Sequence, residues 1–534
     1  MKKYLITIPV FLLCIFGIFA FRAKAAEIAI DVDSDTAYCG DIDDGGYMTT
    51  TWFDAGTEIT ISAEENIDGI YIKWESIPNP WTLTAGDASI SAGQYGFLHE
   101  YVKVAKGTNS VTIHIPDGGA EIAEVYGFSA GELPDYVQTW EPPYDKADLL
   151  VFTAHSDDEV LYMGPSIVNL THNNTARVQV AYMSDQYKTE PFRNHELLDG
   201  LWEMGVTHYP QLGEFWDLYS ESLEEAEGHN SLEDVKEYVV RTIRRFQPQI
   251  VVTHDLNGEY GHGMHRMIAK AVADTADLTG DASQYPESAQ KYGTWDVPKT
   301  YLHLYWENQI VLPTRDPLSD FGGRTALQVC KDAFEKHVSQ QGPTFWVDDG
   351  YDDDGNPNDY QYSCAEYGLY RTTVGTDTGN SMLEHLVTYD EQERQAAETE
   401  TESETEPVTE DNHNKKTNGS GKLLWIIIGL LVVLIIIVIL ILVLRQRAAK
   451  DRQRRDMRSM RPQDPQKRPQ QKTSQQKSPQ QRTTQQKSSQ QRPPQRSTQQ
   501  RTPQQRTTQQ QRPQQKRSVD RQTETRRRDD RDSR

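Results

Sequence analysis

The chain contains an apolar run, LLVFTA at residues 149–154, that leads directly into the polar sequence HSDDE at residues 155–159. A continuous apolar run of this length is typical of a strand covered on both faces, as in a parallel sheet between helices. Similar runs follow at residues 178–183, 250–253 and 301–306, and helical periodicity occurs between them at 195–204, 232–246 and 265–273. Strands that alternate with helices predict an α/β domain with a mostly parallel sheet over residues 145–388.

Polar residues cluster where two of these predicted strands end. His155 and Asp158 follow the first strand at a spacing of three, which lets both side chains face one ion if a helix begins there. The third strand leads into HDLNGEYGHGMH at residues 254–265, in which His262 and His265 open another helix. Because functional sites in parallel sheets lie beyond the carboxyl ends of the strands, we expect the two clusters to face each other.

The residue types in these clusters fit metal chemistry. Two histidines, a carboxylate and an open coordination position form the pattern of a catalytic zinc site. Such an ion lowers the pKa of bound water to about 7 and polarises a carbonyl oxygen. A second carboxylate could take the water's proton, and a further imidazole could donate to an oxyanion or to a leaving nitrogen. Any one histidine is more often a hydrogen-bonded structural residue, but two clusters at two strand ends favour a metal site.

The same clusters resemble a known family. HSDDE at 155–159 resembles the H-P-D-D-E signature of the PIG-L/LmbE-like zinc-dependent de-N-acetylases, and residues 257–265 resemble that family's G-H-x-x-H motif. RNHE at 193–196 is similar to its R-x-x-E helix, and KHVSQ at 336–340 resembles an H-x-S-Q element of some members. Ser156 replaces the usual proline, which removes a backbone constraint but no ligand.

The resemblance covers roughly residues 148–388 and implies a Rossmann-like (LmbE-like) catalytic domain with a role for each matching residue. It implies three Zn²⁺ ligands, namely His155, Asp158 and His265. Asp157 would be the general base, and His262 would stabilise the tetrahedral oxyanion or protonate the departing amine. Two residues would contact the substrate or support the site, Arg193 and Glu196. Asp217 and Glu259 are expected only as neighbours of these residues, and His337 is placed outside the site.

Residues 26–144 contain short alternating runs separated by turn residues. The runs lie at residues 57–62, 69–74, 100–104 and 110–115. This pattern predicts a β-sandwich, similar in strand spacing and aromatic placement to a galactose-binding-like jelly roll. Trp74, Trp81 and Tyr95 could stack on sugars, and the alternative is that half of them or more are core residues.

The two apolar segments near the ends of the chain predict export and a membrane anchor. Residues 1–25 combine a basic pair, an apolar run and Ala-Lys-Ala, as in a signal peptide cleaved after Ala25, with an uncleaved anchor as the alternative. Residues 423–444 are apolar and uncharged, long enough to cross a bilayer core of about 30 Å as a single transmembrane helix. Basic residues follow this segment, so we expect the C-terminal side in the cytoplasm and the N-terminal domains outside the cell membrane.

The net charge of −24 averages two unlike parts of the chain. Residues 445–534 carry 27 Lys and Arg against 8 Asp and Glu, while the rest of the chain carries 28 against 71. This asymmetry excludes a single compact cytosolic domain. The acidic segment 389–422 predicts a disordered linker, and the basic, Gln/Arg-rich segment 445–534 predicts a disordered cytoplasmic tail that could contact anionic lipid. We expect no nucleic acid partner for the exported part.

Three cysteines lie in the part predicted to be exported: Cys39, Cys330 and Cys364. An odd number permits one internal disulfide at most, and Cys330 with Cys364 is the preferred pair. The spacings match no structural zinc site.

These features together predict a cell-surface, zinc-dependent hydrolase. It would cleave a linear amide bond, removing the acetyl group from an N-acetylated amino sugar of a glycan or glycoconjugate. One alternative is a surface glycan-binding adhesion protein with an inactive deacetylase-like domain. Another is a metal hydrolase that acts on an ester or a peptide.

Overall fold

The computed structural model describes residues 24–403, and their side chains as far as residue 399. Nearly all of the predicted signal peptide, the predicted span 423–444 and the basic tail therefore lie outside the described residues. Within the described part of the chain, none of the helices combines the length and the apolar character that a bilayer crossing requires.

The N-terminal strands form one antiparallel sheet. Its eight strands are β1 (Glu27–Ile28), β2 (Asp31–Asp33), β3 (Thr51–Phe53), β4 (Glu58–Trp74), β5 (Trp81–Ala85), β6 (Ala88–Ala92), β7 (His99–His114) and β8 (Ala120–Phe128). Six of them follow the order β1-β8-β4-β7-β5-β6, while β2 pairs with β4 and β3 pairs with β8. Every pairing in this sheet is antiparallel.

This sheet differs from the predicted β-sandwich in its connections. The four predicted short strands at 57–62, 69–74, 100–104 and 110–115 are parts of only two long strands, β4 and β7. The register of the β4–β7 pair shifts between Ser62 and Gly69, and such irregularities let a strand bend and continue. Hydrogen bonds therefore join all eight strands into one sheet, rather than into two separate sheets.

The aromatic residues predicted to stack on sugars are mostly core residues. Trp74 is fully buried and Trp81 is 3 % exposed. Their rings contact each other edge to face with centroids 5.3 Å apart. The alternative, that half or more of the three are core residues, is therefore confirmed, because both tryptophan rings lie in the hydrophobic core. Tyr95 is exposed and stacks on Phe97.

Trp74→Ala should destabilise the first sheet by about 3–5 kcal/mol, because it removes a large, fully buried ring. Urea unfolding followed by fluorescence measures this change. Trp52→Ala is the matched control, since Trp52 is 52 % exposed, and it should shift the unfolding free energy by about 0.5 kcal/mol or less. Equal urea midpoints for Trp74→Ala and the wild type would contradict the core assignment.

The second sheet is mostly parallel, as predicted. Its strands are β9 (Leu149–Thr153), β10 (Val178–Tyr182), β11 (Ile250–Thr253), β12 (Lys299–His303), β13 (Gln309–Val311) and β14 (Glu366–Thr372). They follow the order β10-β9-β11-β12-β14-β13. The first four strands are parallel, and β14 pairs antiparallel with β12 and β13. All residues of the four parallel strands are buried, which explains their largely apolar sequences.

Nine α-helices accompany these sheets in the described residues. They are α1 (Asp158–Leu161), α2 (Gly164–Thr171), α3 (Arg193–Glu203), α4 (Leu223–Glu227), α5 (Leu232–Phe246), α6 (Gly263–Thr275), α7 (Pro286–Tyr292), α8 (Ala326–Phe334) and α9 (Tyr389–Ser403). Helix α5 has the bounds that the sequence predicts, since the Ser231 side chain caps its N-terminus and Gln247 ends it in the left-handed conformation.

Helix α9 corrects the predicted linker. The sequence predicted disorder from residue 389 onward, but the linker begins with a helix. Its first residue anchors it, because Tyr389 is buried, its N–H donates to Asp148 Oδ1 at 2.8 Å, and its hydroxyl donates to Gln247 O at 2.7 Å. A prediction from composition averages over the whole segment, so it cannot detect the effect of one anchoring residue.

The preferred disulfide is also absent. Cys39, Cys330 and Cys364 are all buried free cysteines. Burial raises the pKa of the Cys364 thiol well above its usual range, and the nearby Cys330 contributes to the shift. The two thiols are close, but they pack as small apolar side chains.

Buried polar contacts join the first sheet to helix α3. His99 Nε2 lies 2.8 Å from His195 Nδ1, and His195 Nε2 lies 3.1 Å from Glu75 Oε2. Lys73 Nζ donates to Asp199 Oδ2 at 3.2 Å. Buried polar groups require partners, so this network ties the orientation of α3 to the first sheet. Helix α3 begins beside the candidate site described next.

Candidate active site

The candidate site lies where the central strands β9 and β11 end. The two strands are parallel neighbours, with Leu149 opposite Ile250 and Val151 opposite Val252. Their carboxyl ends therefore place the segments after residues 153 and 253 side by side. Gly258 shapes the second segment, because its φ is +68° and a Cβ there would lie 2.5 Å from His262 O, so only glycine fits without strain.

Three side chains from the two clusters converge. His155 Nδ1 lies 2.9 Å from Asp158 Oδ2 and 3.1 Å from His265 Nε2. His265 Nε2 in turn lies 3.2 Å from Asp158 Oδ1. Ligand atoms about 2.0–2.2 Å from a tetrahedral zinc ion are separated by roughly 3.3–3.6 Å, which is close to these distances. The predicted ligands are therefore brought together as a metal site requires.

The outer nitrogens of both imidazoles face carboxylates. His155 Nε2 lies 3.5 Å from Asp217 Oδ1, and His265 Nδ1 lies 2.8 Å from Glu259 Oε2. A carboxylate behind a ligating histidine holds the proton on the outer nitrogen and leaves the inner lone pair for a metal. The donor set thus fits a divalent ion of the zinc type, and the expected places of Asp217 and Glu259 beside the ligands are confirmed.

Two buried histidines that the sequence interpretation did not select also contact Glu259. His254 Nδ1 lies 2.7 Å from Glu259 Oε2, and His303 Nδ1 lies 2.6 Å from Glu259 Oε1. Although burial opposes the shift, His254 and the other histidines hold the pKa of Glu259 well below its usual range. The available signal was position, since His254 directly follows β11 and His303 ends β12.

His262 lies against the metal-binding group. Its ring centroid is 4.6 Å from that of His155, and its Nδ1 accepts the Met264 N–H at 3.3 Å. Burial lowers the pKa of His262 to about 2, and the neighbouring His155 adds to the shift. Donor atoms of His155, His262 and His265 lie within 4.8 Å of one another, as do those of Asp158, His254 and His265. These are the alternative ligand sets that the geometry offers.

Asp157 and Arg193 lie close to each other beside the site. An Arg193 guanidinium nitrogen lies 3.4 Å from Asp157 Oδ1, and the same nitrogen donates to Ser156 O at 3.0 Å. Another Arg193 nitrogen lies 3.5 Å from Asp217 Oδ2. Burial raises the pKa of Asp157, against the pull of the Arg193 charge. Both predicted residues therefore stand beside the metal-binding group.

Glu196 and His337 are both buried, and neither is one of the three converging side chains. Glu196 is fully buried and accepts hydrogen bonds from Ser339 N at 2.7 Å and from Ser339 Oγ at 2.6 Å. His337 is not a surface residue, since it is fully buried with Nε2 3.2 Å from Glu159 Oε1. The R-x-x-E and H-x-S-Q elements thus pair with each other, and Glu196 supports the site from within the protein.

Comparison with known sequences finds a family match over part of the chain. Residues 150–276 match the sequence profile of PIG-L, described as GlcNAc-PI de-N-acetylase. A 1D-myo-inositol 2-acetamido-2-deoxy-alpha-D-glucopyranoside deacetylase 1 of Catenulispora acidiphila is 26 % identical over 159 residues, 29 % of this chain and 45 % of its own. A deacetylase of the same name from Frankia casuarinae is 31 % identical over 123 residues, 21 % of this chain and 38 % of its own.

A solved structure is also similar. The N,N'-diacetylchitobiose deacetylase of Pyrococcus horikoshii matches with 19 % identity and a TM-score of 0.29, covering 38 % of this chain and 74 % of its own.

The matched segment carries both polar clusters of the site. Residues 150–276 of this chain thus match the PIG-L family that the motifs predicted. The chain spans about half or less of the length of these curated relatives.

Proposed function

We propose that this protein is a metal-dependent hydrolase that removes the acetyl group from an N-acetylated amino sugar of a glycan or glycoconjugate. The convergence of His155, Asp158 and His265, with carboxylates behind both imidazoles, carries the proposal. The curated relatives are named for an acetamido sugar, and the segment that matches the family profile carries both polar clusters of the site. A linear amide on a hexosamine is the substrate that fits both observations.

The proposed cofactor is Zn²⁺, with His155, Asp158 and His265 as its ligands. When bound, the ion supplies Lewis-acid polarisation of the acetyl carbonyl and makes a water acidic enough to lose a proton near neutral pH. Two nitrogen ligands and one carboxylate leave a coordination position open, as catalytic zinc sites require.

Asp157 is the proposed general base. It directly precedes the proposed ligand Asp158 in the chain. Its Oδ1 lies 3.4 Å from an Arg193 guanidinium nitrogen. The carboxylate takes the proton of the attacking water as the bond to the acetyl carbon forms. Arg193 holds the Asp157 loop through Ser156 O and offers its remaining donors to substrate hydroxyls.

His262 is the proposed hydrogen-bond donor to the reacting oxygen. Because its Nδ1 accepts the Met264 N–H, the ring proton of the neutral imidazole lies on Nε2. That proton can stabilise the negative charge that develops when water adds to the carbonyl. The amine then leaves with a proton returned from Asp157.

We also place this enzyme at the cell surface as part of the proposal. The signal-like residues 1–25 and the uncharged segment 423–444, followed by basic residues, support export of the catalytic domain and anchoring by one helix. Substrates on that side are surface glycans and glycoconjugates. The basic tail would lie in the cytoplasm, where anionic lipid is its proposed contact.

An acetate-release assay with a panel of substrates tests the proposed function. The protein, loaded with Zn²⁺, is incubated with N-acetylglucosamine, its oligosaccharides, an O-acetylated sugar and an N-acetylated peptide. We expect acetate and free amine in equal amounts from the amino sugars alone. Release only from the ester or the peptide would show that the substrate is not an N-acetylated amino sugar. Sugar binding without any release would support the alternative of an adhesion protein.

A further inference from the structure

A row of aromatic rings extends from the candidate site to the surface. It consists of Tyr260, Phe345, Tyr362, Tyr360 and Trp346, which we call the aromatic row. The Tyr260 centroid lies 5.6 Å from that of His262 and 5.3 Å from that of His265. From Tyr260, rings follow at 5.6 Å to Phe345 and at 6.5 Å to Tyr362, then at 6.0 Å to Tyr360 and at 5.3 Å to Trp346.

The aromatic row exposes apolar surface to solvent, which is unfavourable for the stability of the folded protein. Tyr260 is 41 % exposed and Trp346 is 48 % exposed, while Phe345, Tyr360 and Tyr362 are half-buried. Contiguous aromatic surface on a soluble domain marks a place where another molecule binds. Because this surface is continuous with the candidate site, the substrate itself is the molecule best placed to cover it.

The backbone at Tyr260 supports a functional role for the row. Its φ is +44°, in the left-handed region that a bulky residue rarely adopts. The neighbouring Gly258 and Gly261 also have positive φ, so the segment is shaped as a unit. Strain of this kind persists where the surrounding structure requires it, and it is concentrated at ligand sites. The strained turn is what places the Tyr260 ring between the buried imidazoles and the rest of the row.

The loop that carries most of the row is acidic. Between Trp346 and Tyr360 it contains six aspartates, Asp348, Asp349, Asp352, Asp353, Asp354 and Asp359. Arg315 forms an ion pair with Asp349 at 2.7 Å. This one cation neutralises only one of the six negative charges. An anionic polymer would be repelled here, whereas a neutral chain, or one with free amines, would not.

We propose that the aromatic row is a subsite for the sugar residues adjacent to the one that loses its acetyl group. The substrate is then a neutral or partly de-N-acetylated sugar chain rather than a single sugar. Pyranose rings present a face of C–H bonds to the electron-rich faces of aromatic rings. Neighbouring rings of the row are tilted or edge to face, with interplanar angles of 47° to 88°, so the exposed rings of Tyr260 and Trp346 at its two ends are the platforms offered to the sugars. This inference rests on the proposed function for the chemistry at the row's inner end.

Chain-length dependence tests the subsite. The full-length protein is assayed for acetate release from N-acetylglucosamine and from its β-1,4-linked hexamer. We expect the hexamer to have the higher kcat/KM, and Trp346→Ala to reduce the hexamer-to-monomer ratio of kcat/KM about tenfold, which corresponds to about 1.4 kcal/mol. Trp52→Ala removes an equally exposed tryptophan from the first sheet and should leave this ratio unchanged.

Binding separates failure of the subsite from failure of the proposed function. Calorimetry of the hexamer with Asp157→Asn protein, in the presence and absence of Trp346→Ala, should show about tenfold weaker binding when Trp346 is lost, whether or not the wild type releases acetate. Equal binding and an equal hexamer-to-monomer ratio in both proteins would overturn the subsite. A wild type that releases acetate equally well from monomer and hexamer would also overturn it, while confirming the deacetylase. If the wild type does not bind the hexamer but binds another protein, and Trp346→Ala abolishes that binding, the aromatic row is a protein-docking surface instead.

Discussion

Asp157→Asn is expected to lower kcat for acetate release by about 100- to 10,000-fold, the contribution typical of a positioned general base. Asparagine keeps the size and the hydrogen-bonding shape of the side chain, but it cannot accept the water's proton. Since Asp157 is not one of the three converging donors, the metal content of the purified variant should equal that of the wild type. Steady-state acetate release, with metal analysis of the same samples, measures both quantities.

Asp281→Asn is the matched control for this change of one charge. Asp281 belongs to an exposed turn after α6, where it accepts hydrogen bonds from Ser283, and the variant should retain full activity. Wild-type kcat in the Asp157→Asn variant would refute the base assignment. A variant that has lost both activity and metal would indicate instead that Asp157 is required to build the site.

His265→Ala should remove the bound metal and, with it, the activity. Its Nε2 lies within 3.2 Å of donor atoms from both other proposed ligands, and both alternative ligand sets also contain it. Loss of a carboxylate partner behind a ligating histidine weakens metal affinity about 10- to 100-fold, and loss of the ligand itself should exceed that. Metal-binding titrations and acetate release measure the two effects.

His262→Ala is the comparison that decides between the ligand sets. We expect this variant to bind Zn²⁺ with near wild-type affinity and to lose most of its kcat, because a hydrogen-bond donor in such a position contributes about 100- to 1,000-fold. If His262→Ala loses the metal while Asp158→Ala retains it, the ion is held by His155, His262 and His265. His262 would then be a metal ligand, and Asp158 would not.

The strands and the centre of the site could be predicted because their signals are local. The apolar runs of β9, β10 and β11 are short and continuous, and burial on both faces leaves no alternation to misinterpret. His155 and His265 follow or open elements whose ends can be located from the sequence. Parallel pairing of β9 with β11 then brings them together by topology alone.

The rest of the site depends on contacts between distant segments. His303 reaches Glu259 across 44 positions in the chain, and Ser339 reaches Glu196 across 143. Neither pairing has a local pattern, which is why His303 was missed and the contact of Glu196 with Ser339 was not predicted.

The sequence left open which aromatic residues of the first sheet are core residues, for a related reason. Strand alternation shows that Trp74 and Trp81 share a pattern with apolar neighbours, but it does not show which face of the sheet is covered. The structure buries both rings, whereas four of the five rings of the aromatic row come from a loop between α8 and β14 that has no periodic signal.

Acetate release measured as a function of zinc occupancy tests the central claim most directly. Metal-free protein is prepared by chelation, Zn²⁺ is added back in steps, and acetate release from an N-acetylglucosamine oligosaccharide is recorded at each occupancy. The proposed site predicts no release without metal, and a linear rise that ends at about one ion per chain, as expected for one three-ligand site. Full release from the metal-free protein, or none from the fully loaded protein, would contradict the account.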